Sequence, residues 1–475
     1  MFSGKFYAEF TVVSGSINPG LATQNINLAS GFLGDNAYGW TYGSYGKKYH
    51  NDPSANGATY GDTYTTGDAI GVAFNADSGE LTFYKNGVSQ GVAYTGLTSA
   101  SGPYFFATGG SNMSHRVNFG QKPFKFPPPA GFQPLNAANV RPETVIARPD
   151  HYVKTVLWTG NDVARSIVTG NAPDFVWIKD RSITKDPVIC DSVRGAGETL
   201  RPDDPGANVT AIQRVSSFNS NGFSVGTDSG VNNNNDNFVG WTWKAGGNKN
   251  TFNVDDVGYA SAAAAGLDGG TINPTGASVG TKQGFSILKY QGNGTAGANI
   301  SHGLLEAPKL MIHKSLDASR NWYTITTAID GSADYLYLNS TAVANNSAVT
   351  APTSNLMYFT SSAESNNNTE NYIVYMWHDV PGLQKFGSYV GNNDANGTYV
   401  ELGFRPAVVI IKTTSGGSWV IKDSARKPVN PNDSQLYVNT DADEDDPQGA
   451  MDFLSNGFKS RIVSQSVNAG ETYVY

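Results

Sequence analysis

Residues 67–94, GDAIGVAFNADSGELTFYKNGVSQGVAY, decide the fold of the first part of this chain. Apolar residues alternate with small or polar ones at 70–74 and again at 81–83, the period-two pattern of strands that bury one face. Asn86 and Gly87 follow the second run, and this dipeptide is a strong hairpin signal because both central positions of a type I′ turn need a positive φ. The stretch therefore predicts consecutive antiparallel strands.

The flanking segments extend this pattern over residues 1–135. The stretch is preceded by AYGWTYGSYGKKYHN at residues 37–51 and followed by VNFGQKPFKFPPPAGF at residues 117–132. Together these segments resemble a SPRY (B30.2) domain. The resemblance implies a concanavalin-like β-sandwich that binds peptides or glycans through its loops and has no catalytic centre.

Five aromatic residues between positions 38 and 49 are candidates for a ligand-binding platform. Tyr38, Trp40 and Tyr42 alternate along the sequence, so they are predicted to lie on one strand face and pack the sandwich. Tyr45 and Tyr49 stand near glycines and lysines and are predicted to be loop residues. We therefore take Tyr45 and Tyr49 as the candidate ligand-binding residues.

The rest of the chain contains an internal repeat in three copies. Each copy opens with a strand that ends in Gly-Asn: VKTVLWTGN, FSILKYQGN and FGSYVGN. Each continues, after a proline, into an apolar strand that ends in lysine: FVWIK, LMIHK and VVIIK. Each closes with an aromatic strand: FVGWTW, YIVYMW and TYVY. The third copy stops inside this last strand, which predicts a truncated repeat.

These patterns predict an all-β chain, in which a concanavalin-like (SPRY) β-sandwich is followed by three tandem antiparallel β-sandwich-like repeat domains. The predicted divisions are a SPRY-like sandwich at 1–135, a Pro-containing linker at 136–149, β repeat 1 at 150–244, a Gly/Ala/Asn-rich linker or insertion at 245–283, β repeat 2 at 284–380 and β repeat 3 at 381–475.

Composition excludes several classes of function. The net charge is −8, whereas nucleic-acid binders usually present a basic face, so no nucleic-acid partner is predicted. Cys190 is the single cysteine, which rules out an intramolecular disulfide and a cysteine metal cluster. No apolar run approaches the ~20 residues that span a bilayer, so no membrane insertion is predicted. No cofactor is predicted either.

Motifs that suggest catalysis or metal binding lack the context that their chemistry needs. GNGTAG at 292–297 is not followed by a helical pattern, which a dinucleotide fingerprint requires. GFSVG and GASVG, centred on Ser224 and Ser278, lack the strand–turn–helix of a nucleophile elbow. The acidic run at 441–446, DADEDD, lacks the spacing of a calcium loop and is predicted to be a solvated loop. No catalytic or metal residue is therefore predicted, although a carboxylate pair set by the fold stays open.

The repeat also resembles one found beside SPRY-like domains in virion and tail proteins of tailed phages. The resemblance implies a structural and adhesive component of a tail fibre or other virion appendage at the particle surface. The implied partners are further copies of the chain in a trimer or filament, other virion proteins, and a host surface glycan or protein. The alternatives are a subunit of a bacterial extracellular filament or surface layer, and a glycan-degrading tail enzyme.

Overall fold

The structure is a computed structural model that describes residues 1, 4–23, 26, 32–97, 103–135, 146, 148–444 and 450–475. The described residues form 37 strands, one short α-helix at Ser229–Asn232 and a 3-10 turn at Pro149–His151. The predicted all-β class is confirmed. No helix in the described part of the chain has the length and apolarity needed to cross a membrane.

The chain divides into two compact units, residues 1–141 and residues 142–475. The predicted linker at 136–149 lies mostly outside the described residues. The strands of the first unit are β1 (Lys5–Thr23), β2 (Gly39–Gly43), β3 (Lys47–Tyr49), β4 (Ala58–Thr59), β5 (Ala69–Asn75), β6 (Glu80–Lys85), β7 (Val88–Tyr94), β8 (Tyr104–Asn118) and β9 (Gln133–Pro134).

The first unit is a β-sandwich organised around the long strand β1. The first part of β1 pairs antiparallel with β5, and its last residues pair with β2, so one strand serves both layers. Strand β8 runs antiparallel along most of β1. The alternating residues of the deciding stretch point inward: Ile70, Val72, Phe74, Leu81 and Phe83 are all fully buried.

The predicted hairpin in the first unit is confirmed. β6 and β7 are antiparallel neighbours joined by the two residues Asn86 and Gly87. Asn86 has φ 48° and Gly87 has φ 81°, the left-handed values that a type I′ turn requires. A local turn signal thus set the register of this pair.

The sheet of each copy in the second unit contains four strands in the same order. The order in this sheet is opening strand, aromatic strand, lysine strand and a fourth strand that follows the lysine strand in the sequence. The strands of copy 1 are β10 (Val153–Thr159), β11 (Arg165–Val168), β12 (Phe175–Asp180), β13 (Val188–Asp191), β14 (Glu198–Thr199), β15 (Val209–Thr210), β16 (Val215–Asn219), β17 (Gly222–Val225) and β18 (Asn237–Trp243). The sheet order is β10-β18-β12-β13.

Copies 2 and 3 repeat this order as β22-β29-β24-β25 and β30-β37-β32-β33. The strands of copy 2 are β22 (Phe285–Gln291), β23 (Asn299–Ser301), β24 (Leu310–Ser315), β25 (Tyr323–Thr326), β26 (Asp334–Tyr337), β27 (Asn345–Asn346), β28 (Leu356–Tyr358) and β29 (Asn371–Trp377). The strands of copy 3 are β30 (Ser388–Val390), β31 (Tyr399–Glu401), β32 (Val408–Thr413), β33 (Val420–Asp423), β34 (Leu436–Tyr437), β35 (Met451–Leu454), β36 (Gly457–Ser460) and β37 (Thr472–Val474).

Residues 245–283 were predicted to be a linker or an insertion, and the structure contradicts the linker alternative. They form β19 (Phe252–Val254), β20 (Val257–Tyr259) and β21 (Pro274–Gly280), which extend the sheet of copy 2 beyond β22. Leu267 and Val279 from this segment are buried in the core of copy 2. The prediction failed because small residues such as Ala277, which is fully buried, pack strands without an obvious apolar pattern.

The three copies do not form separate domains in series, because they share one central core. Each copy keeps an outer core of its own, and a further cluster draws buried residues from all three copies. Its members include Trp177 and Trp241 from copy 1, Tyr375 from copy 2, and Trp419 and Val474 from copy 3. The second unit is therefore one compact body with internal threefold repetition.

The copies also contact one another in a closed cycle. Copy 1 contacts copy 2, where Trp322 Nε1 donates to the Arg201 carbonyl oxygen at 2.8 Å. Copy 2 contacts copy 3, where Trp419 Nε1, at the position equivalent to Trp322, donates to the Tyr337 carbonyl oxygen at 3.0 Å. Copy 3 returns to copy 1, where the Lys185 N–H donates to the Asp441 carbonyl oxygen at 2.8 Å.

Candidate functional site

The turn between β2 and β3 presents the most exposed aromatic side chain among the described residues of the first unit. Tyr45 is 77% exposed at this turn. The N–H groups of Tyr60 and Gly61 donate to the Gly46 carbonyl oxygen at 2.9 and 3.1 Å, and that of Tyr64 donates to the Ser44 carbonyl oxygen at 3.0 Å. The backbone beneath the ring is thus fixed before any ligand arrives. We call residues 44–46 the Tyr45 tip.

Gly46 shows how closely the Tyr45 tip is held. Its φ is +76°, and a Cβ at this position would lie 2.4 Å from the Gly61 carbonyl oxygen. Such a contact is far inside van der Waals distance, so only glycine fits here. A fixed tip loses little conformational entropy on binding, which favours affinity.

Lys48 anchors the same hairpin from its other side. Its ammonium group donates to the Ala93 carbonyl oxygen at 2.5 Å and lies 5.1 Å from the centre of the Tyr94 ring and 5.7 Å from that of Tyr60. These distances allow cation–π attraction to both rings. Burial raises the pKa of Tyr60 to about 12, so this phenol stays neutral at physiological pH.

Tyr49 is not the loop residue that the sequence analysis predicted. It is the last residue of β3 and is only 9% exposed. Gly43 and Gly57 lie against its ring, since a Cβ at either would approach ring atoms to 2.7 and 2.5 Å. Those glycines leave room for the ring to turn inward, so its surface is largely unavailable to a ligand. Ligand binding by Tyr45 stays a prediction.

The packing prediction for the neighbouring aromatics holds for two of three residues. Trp40 is 8% exposed and Tyr42 is fully buried, both in the sandwich core. Tyr38 precedes β2 and is 43% exposed, so it does not share their strand face. Tyr38 and Tyr45 therefore flank opposite ends of the same strand.

An apolar cavity of about 480 Å³ lies within the second unit, where the three copies meet. Its volume falls in the range of small-ligand pockets. Aromatic side chains from every copy line it: Phe175, Trp177, Trp243, Tyr375, Trp377, Trp419 and Tyr475. Phe175 of copy 1 meets Tyr375 of copy 2 edge to face, with ring centres 4.9 Å apart. We call this space the central cavity.

Buried ion pairs occupy equivalent positions in copies 1 and 3. Asp191 binds Arg194 at 2.5 Å, and Asp423 binds Arg426 at 2.6 Å, with all four side chains almost fully buried. In copy 2 the first of these positions is taken by Thr326. These ion pairs are structural in geometry, because each arginine also donates to a carbonyl oxygen of the strand that precedes it.

Each buried aspartate also accepts a hydrogen bond from the aromatic strand of another copy. Tyr375 Oη of copy 2 donates to Asp191 Oδ2 of copy 1 at 2.7 Å. Trp241 Nε1 of copy 1 donates to Asp423 Oδ2 of copy 3 at 3.1 Å. We call Trp241 and Tyr375 the inner aromatic residues of their copies. Both contact an ion pair, and Tyr375 also lines the central cavity.

The lysine that ends each apolar strand is buried in all three copies. Lys179, Lys314 and Lys412 are at most 1% exposed, and burial lowers the pKa of each amine to about 8. Lys314 Nζ donates to the Pro205 carbonyl oxygen of copy 1 at 2.8 Å, and Lys179 Nζ to the Asp441 carbonyl oxygen of copy 3 at 3.1 Å. Lys179 and Lys314 thus connect neighbouring copies, whereas Lys412 Nζ donates to the Gly417 carbonyl oxygen of its own copy.

The serines of the hydrolase-like motifs hold local structure. Ser224 Oγ accepts from Asn219 Nδ2 at 2.9 Å on the strand β17. Ser278 is fully buried, and its Oγ accepts from the Gly246 N–H and donates to the Gly247 carbonyl oxygen. Neither lies at a turn into a helix.

His302 and His313 are buried, and burial lowers their pKa values to about 4 and about 3. Within the described ranges, no group of three or more His, Cys, Asp or Glu side chains is arranged to hold a metal ion.

The acidic run at 441–446 is not simply solvated. Glu444 accepts from Arg181 Nε of copy 1 and from Arg426 Nη1 of copy 3, both at 2.8 Å. It therefore ties copy 3 to copy 1, and the prediction of a solvated loop is wrong for this residue. Positions 445 and 446 lie outside the described residues.

A SPRY β-sandwich followed by a unit of three interlocked β repeats defines the class of this protein. Residues 5–122 match the SPRY domain model. Residues 148–475, more than two thirds of the chain, match the family model described as a domain of unknown function (DUF7483). The chain belongs to the DUF7483 family and carries a SPRY domain at its N-terminal side.

Relatives of the chain include Ran-binding protein 9 of Xenopus tropicalis, which is 38% identical over 136 residues. That match covers 26% of this chain and 23% of the relative. ATP-dependent RNA helicase DDX1 of Xenopus laevis is 32% identical over 179 residues, covering 37% of this chain and 22% of the relative. The chain thus spans about a quarter of the length of these curated relatives.

Solved structures similar to the chain include the SPRY domain of human HERC1. It shows 21% identity and a TM-score of 0.21, covering 25% of this chain and 74% of that chain. A second human SPRY domain shows 23% identity and a TM-score of 0.21, covering 25% of this chain and 78% of that chain.

The predicted role as a tailed-phage appendage is contradicted by these relatives. They include Ran-binding proteins of frogs, zebrafish and a fly, which are proteins of animal cells and not of phage particles. The same finding overturns the predicted virion location, the other virion proteins as partners and the host-surface partners. It overturns the filament and depolymerase alternatives as well. The homo-oligomer stays a prediction. The resemblance of the repeat to phage proteins involves no site residue that requires such a role.

Proposed function

We propose that this chain is a non-enzymatic protein-binding component whose SPRY domain takes a segment of a partner protein at the Tyr45 tip. The observation that carries the proposal is an aromatic ring that is 77% exposed on a backbone fixed by hydrogen bonds. Tyrosine is enriched at binding hot spots because it offers a large contact area and a hydroxyl group with few rotatable bonds. Relatives that share this domain are named for binding Ran.

The absence of catalysis is part of the proposal. The serines of the hydrolase-like motifs are occupied by local hydrogen bonds, and Ser278 is fully buried. The buried carboxylates Asp191 and Asp423 are paired with arginines. A general base or nucleophile must reach substrate, which these buried groups cannot do.

The test is a selection of displayed peptides on the intact chain, followed by affinity measurement for selected peptides and for purified Ran. Tyr45→Ala should weaken binding about tenfold or more, the effect of removing a hot-spot side chain. Tyr38→Ala is the matched control, because it removes an exposed tyrosine from the opposite end of β2. It should leave affinity unchanged. Failure to select any binding sequence, or equal affinities for the wild type and Tyr45→Ala, would contradict the proposal.

A further inference from the structure

The residue that follows the buried lysine of each copy starts the next turn. These residues are Asp180, Ser315 and Thr413, and each lies opposite the first aromatic residue of its aromatic strand, so the three positions are equivalent. Asp180 Oδ1 accepts from the Ser182 N–H at 2.8 Å. Ser315 Oγ and Thr413 Oγ1 accept from backbone N–H groups of their own turns at 3.1 and 3.2 Å. All three side chains therefore hold a turn.

In copies 2 and 3 the same side chain also donates a hydrogen bond to a carboxylate. Ser315 Oγ donates to Glu370 Oε1, and Thr413 Oγ1 donates to Glu471 Oε2 at 2.7 Å. Glu370 and Glu471 stand two residues before the first aromatic residue of their strands, where copy 1 has Asp236. This hydrogen bond ties the end of the lysine strand to the start of the aromatic strand.

Copy 1 has carboxyl groups at both positions. Asp180 is fully buried, and its Oδ2 has no hydrogen-bond partner in the part of the chain that the structure describes. An ionised carboxylate only accepts hydrogen bonds, whereas a protonated carboxyl group can donate one. A proton on Asp180 Oδ2 therefore supplies the donor that a hydroxyl group supplies in copies 2 and 3. We call Asp180 and Asp236 the carboxyl pair.

The cations near the carboxyl pair are engaged elsewhere. Lys179 Nζ donates to the backbone carbonyl oxygens of Asp180 and Asp441. Arg181 pairs with Glu444. Lys185 Nζ donates to Ser229 Oγ at 3.1 Å. The other charged groups around Lys179 are the carboxylates of Asp203, Asp441 and Asp443, which add negative charge.

Burial and like charge both favour the protonated form of Asp180. Burial raises the pKa of this carboxyl group above its ordinary value, and the negative charge of Asp236 raises it further. The Ser182 and Ile183 N–H groups and the Lys179 ammonium group oppose this rise in pKa only in part. A buried carboxylate with one oxygen lacking a partner is costly, and protonation removes that cost.

The turn that Asp180 holds makes the contact between copy 1 and copy 3. The Lys185 N–H donates to the Asp441 carbonyl oxygen at 2.8 Å, and the Glu444 N–H donates to the Arg181 carbonyl oxygen at 3.1 Å. Arg181 Nε also donates to Glu444 at 2.8 Å. A change at Asp180 is therefore transmitted directly to this interface.

We infer that the carboxyl pair holds one proton between its two side chains, and that release of this proton to solvent weakens the contact between copy 1 and copy 3. Between the ordinary pKa of an aspartate, ~3.9, and the raised pKa of Asp180, the folded chain keeps a proton that the unfolded chain has released. The stability that the proton contributes is therefore lost as pH rises through the raised pKa. This pH response lies in the second unit and is independent of the Tyr45 tip.

The proton itself is tested by carboxyl ¹³C nuclear magnetic resonance of the full chain labelled at aspartate. The signal that is missing in Asp180→Asn belongs to Asp180, and in the wild type it should titrate above ~3.9. Asp236→Asn removes the neighbouring charge and should move this titration to lower pH. Asp268→Asn changes an exposed aspartate and should leave it in place. Titration of Asp180 at or below ~3.9, or at the same pH in Asp236→Asn, would overturn the inference.

The link to the interface is tested by amide hydrogen exchange at Lys185 and Glu444, corrected for the intrinsic effect of pH. Protection of both amides in the wild type should fall about tenfold as pH rises through the measured pKa of Asp180. Asp180→Ser supplies the hydroxyl group of copy 2, so protection should not change over that range. Thermal unfolding checks that the variant is folded. The same loss of protection in the wild type and Asp180→Ser would show that the carboxyl pair does not control the contact.

Discussion

Single residues in the second unit serve two copies at once. Asp423 Oδ1 accepts from the N–H groups of Ala425 and Arg426, which fixes the turn after β33. Asp423 Oδ2 binds the Arg426 guanidinium and accepts from Trp241 of another copy. Thr326, its counterpart in copy 2, retains the turn contact by accepting from the Ala328 N–H at 3.1 Å. The shorter side chain of Thr326 therefore holds the same turn without an ion pair.

Removing the buried carboxylate of copy 3 should destabilise the second unit strongly. In Asp423→Ala, the buried Arg426 loses its closest acceptor and keeps Glu444, and Trp241 Nε1 loses its partner. The expected loss is about 3 kcal/mol in the free energy of unfolding, measured by urea denaturation. Asp150→Ala, which breaks the exposed pair with Arg148, is the control and should leave the midpoint unchanged. Equal midpoints for the two variants would contradict this account of the ion pair.

The buried lysines should make the second unit more stable as pH rises above about 8. Burial lowers the pKa of Lys179, Lys314 and Lys412 to about 8, whereas an unfolded lysine has a pKa near ~10.4. Between these values the unfolded chain binds more protons than the folded chain, so the free energy of unfolding increases with pH. It is correspondingly lost as pH falls from about 10 to about 8.

Lys179→Met should reduce that increase by about 3 kcal/mol, an order-of-magnitude value from the size of the pKa shift. Denaturant unfolding at a series of pH values from about 7.5 to about 10.5 measures this dependence. It gives the slope of the free energy of unfolding against pH for the wild type and for Lys179→Met. Lys282→Met replaces an exposed lysine and should leave the slope as in the wild type. An unchanged slope in Lys179→Met would show that its amine titrates normally.

At the scale of elements, local signals identified some strands and missed others. Asn86-Gly87 located a hairpin because the turn chemistry is contained in two residues. The strands of the segment 245–283 carry no such signal, because glycine and alanine fill buried positions next to β22. The inward turn of the Tyr49 ring depends on Gly43 and Gly57, which meet the ring only after folding. Contacts that form between distant residues leave little trace in a local pattern.

The packing of this segment predicts an effect that a linker would not show. Leu267 is 1% exposed within the core of copy 2, so Leu267→Ala should lower the free energy of unfolding by about 2–4 kcal/mol. Val257→Ala lies in the same segment at a side chain that is 51% exposed, and its effect should stay within about 0.5 kcal/mol. Urea denaturation measures both. If Leu267→Ala leaves the free energy of unfolding unchanged, the segment behaves as a linker and this prediction is wrong.

At the scale of the whole molecule, the three copies of the repeat were visible in the sequence, but the closed cycle of contacts between them was not. The three lysine strands share a recognisable pattern, and their equal places in three sheets follow from it. The contacts that close the cycle come from segments of unlike sequence, such as those holding Arg201, Tyr337 and Asp441. Because these contacts leave no common pattern in the sequence, the repeat alone predicted three independent domains. The sequence predicted that Tyr45 lies in a loop. It did not predict that residues 60–64 fix the backbone of this loop by hydrogen bonds.

A shared core predicts that the copies fold together. A chain of residues 142–380 lacks copy 3. It therefore exposes part of the shared core, to which Trp241 and Tyr375 belong. It should lack cooperative unfolding and show no fixed near-ultraviolet circular dichroism. Residues 142–475 should unfold cooperatively in the same assay. Cooperative unfolding of residues 142–380 would show that the copies are separate domains after all.

The closed cycle also means that no copy has a privileged position. Pro149 and Asp150 at the start of copy 1 and Val474 and Tyr475 in copy 3 line the same central cavity. Neighbourhood in space therefore does not follow order along the chain, and a circularly permuted gene that began at copy 2 would encode the same set of contacts. Each copy contacts both of the others, so weakening any one of the three interfaces opens the cycle.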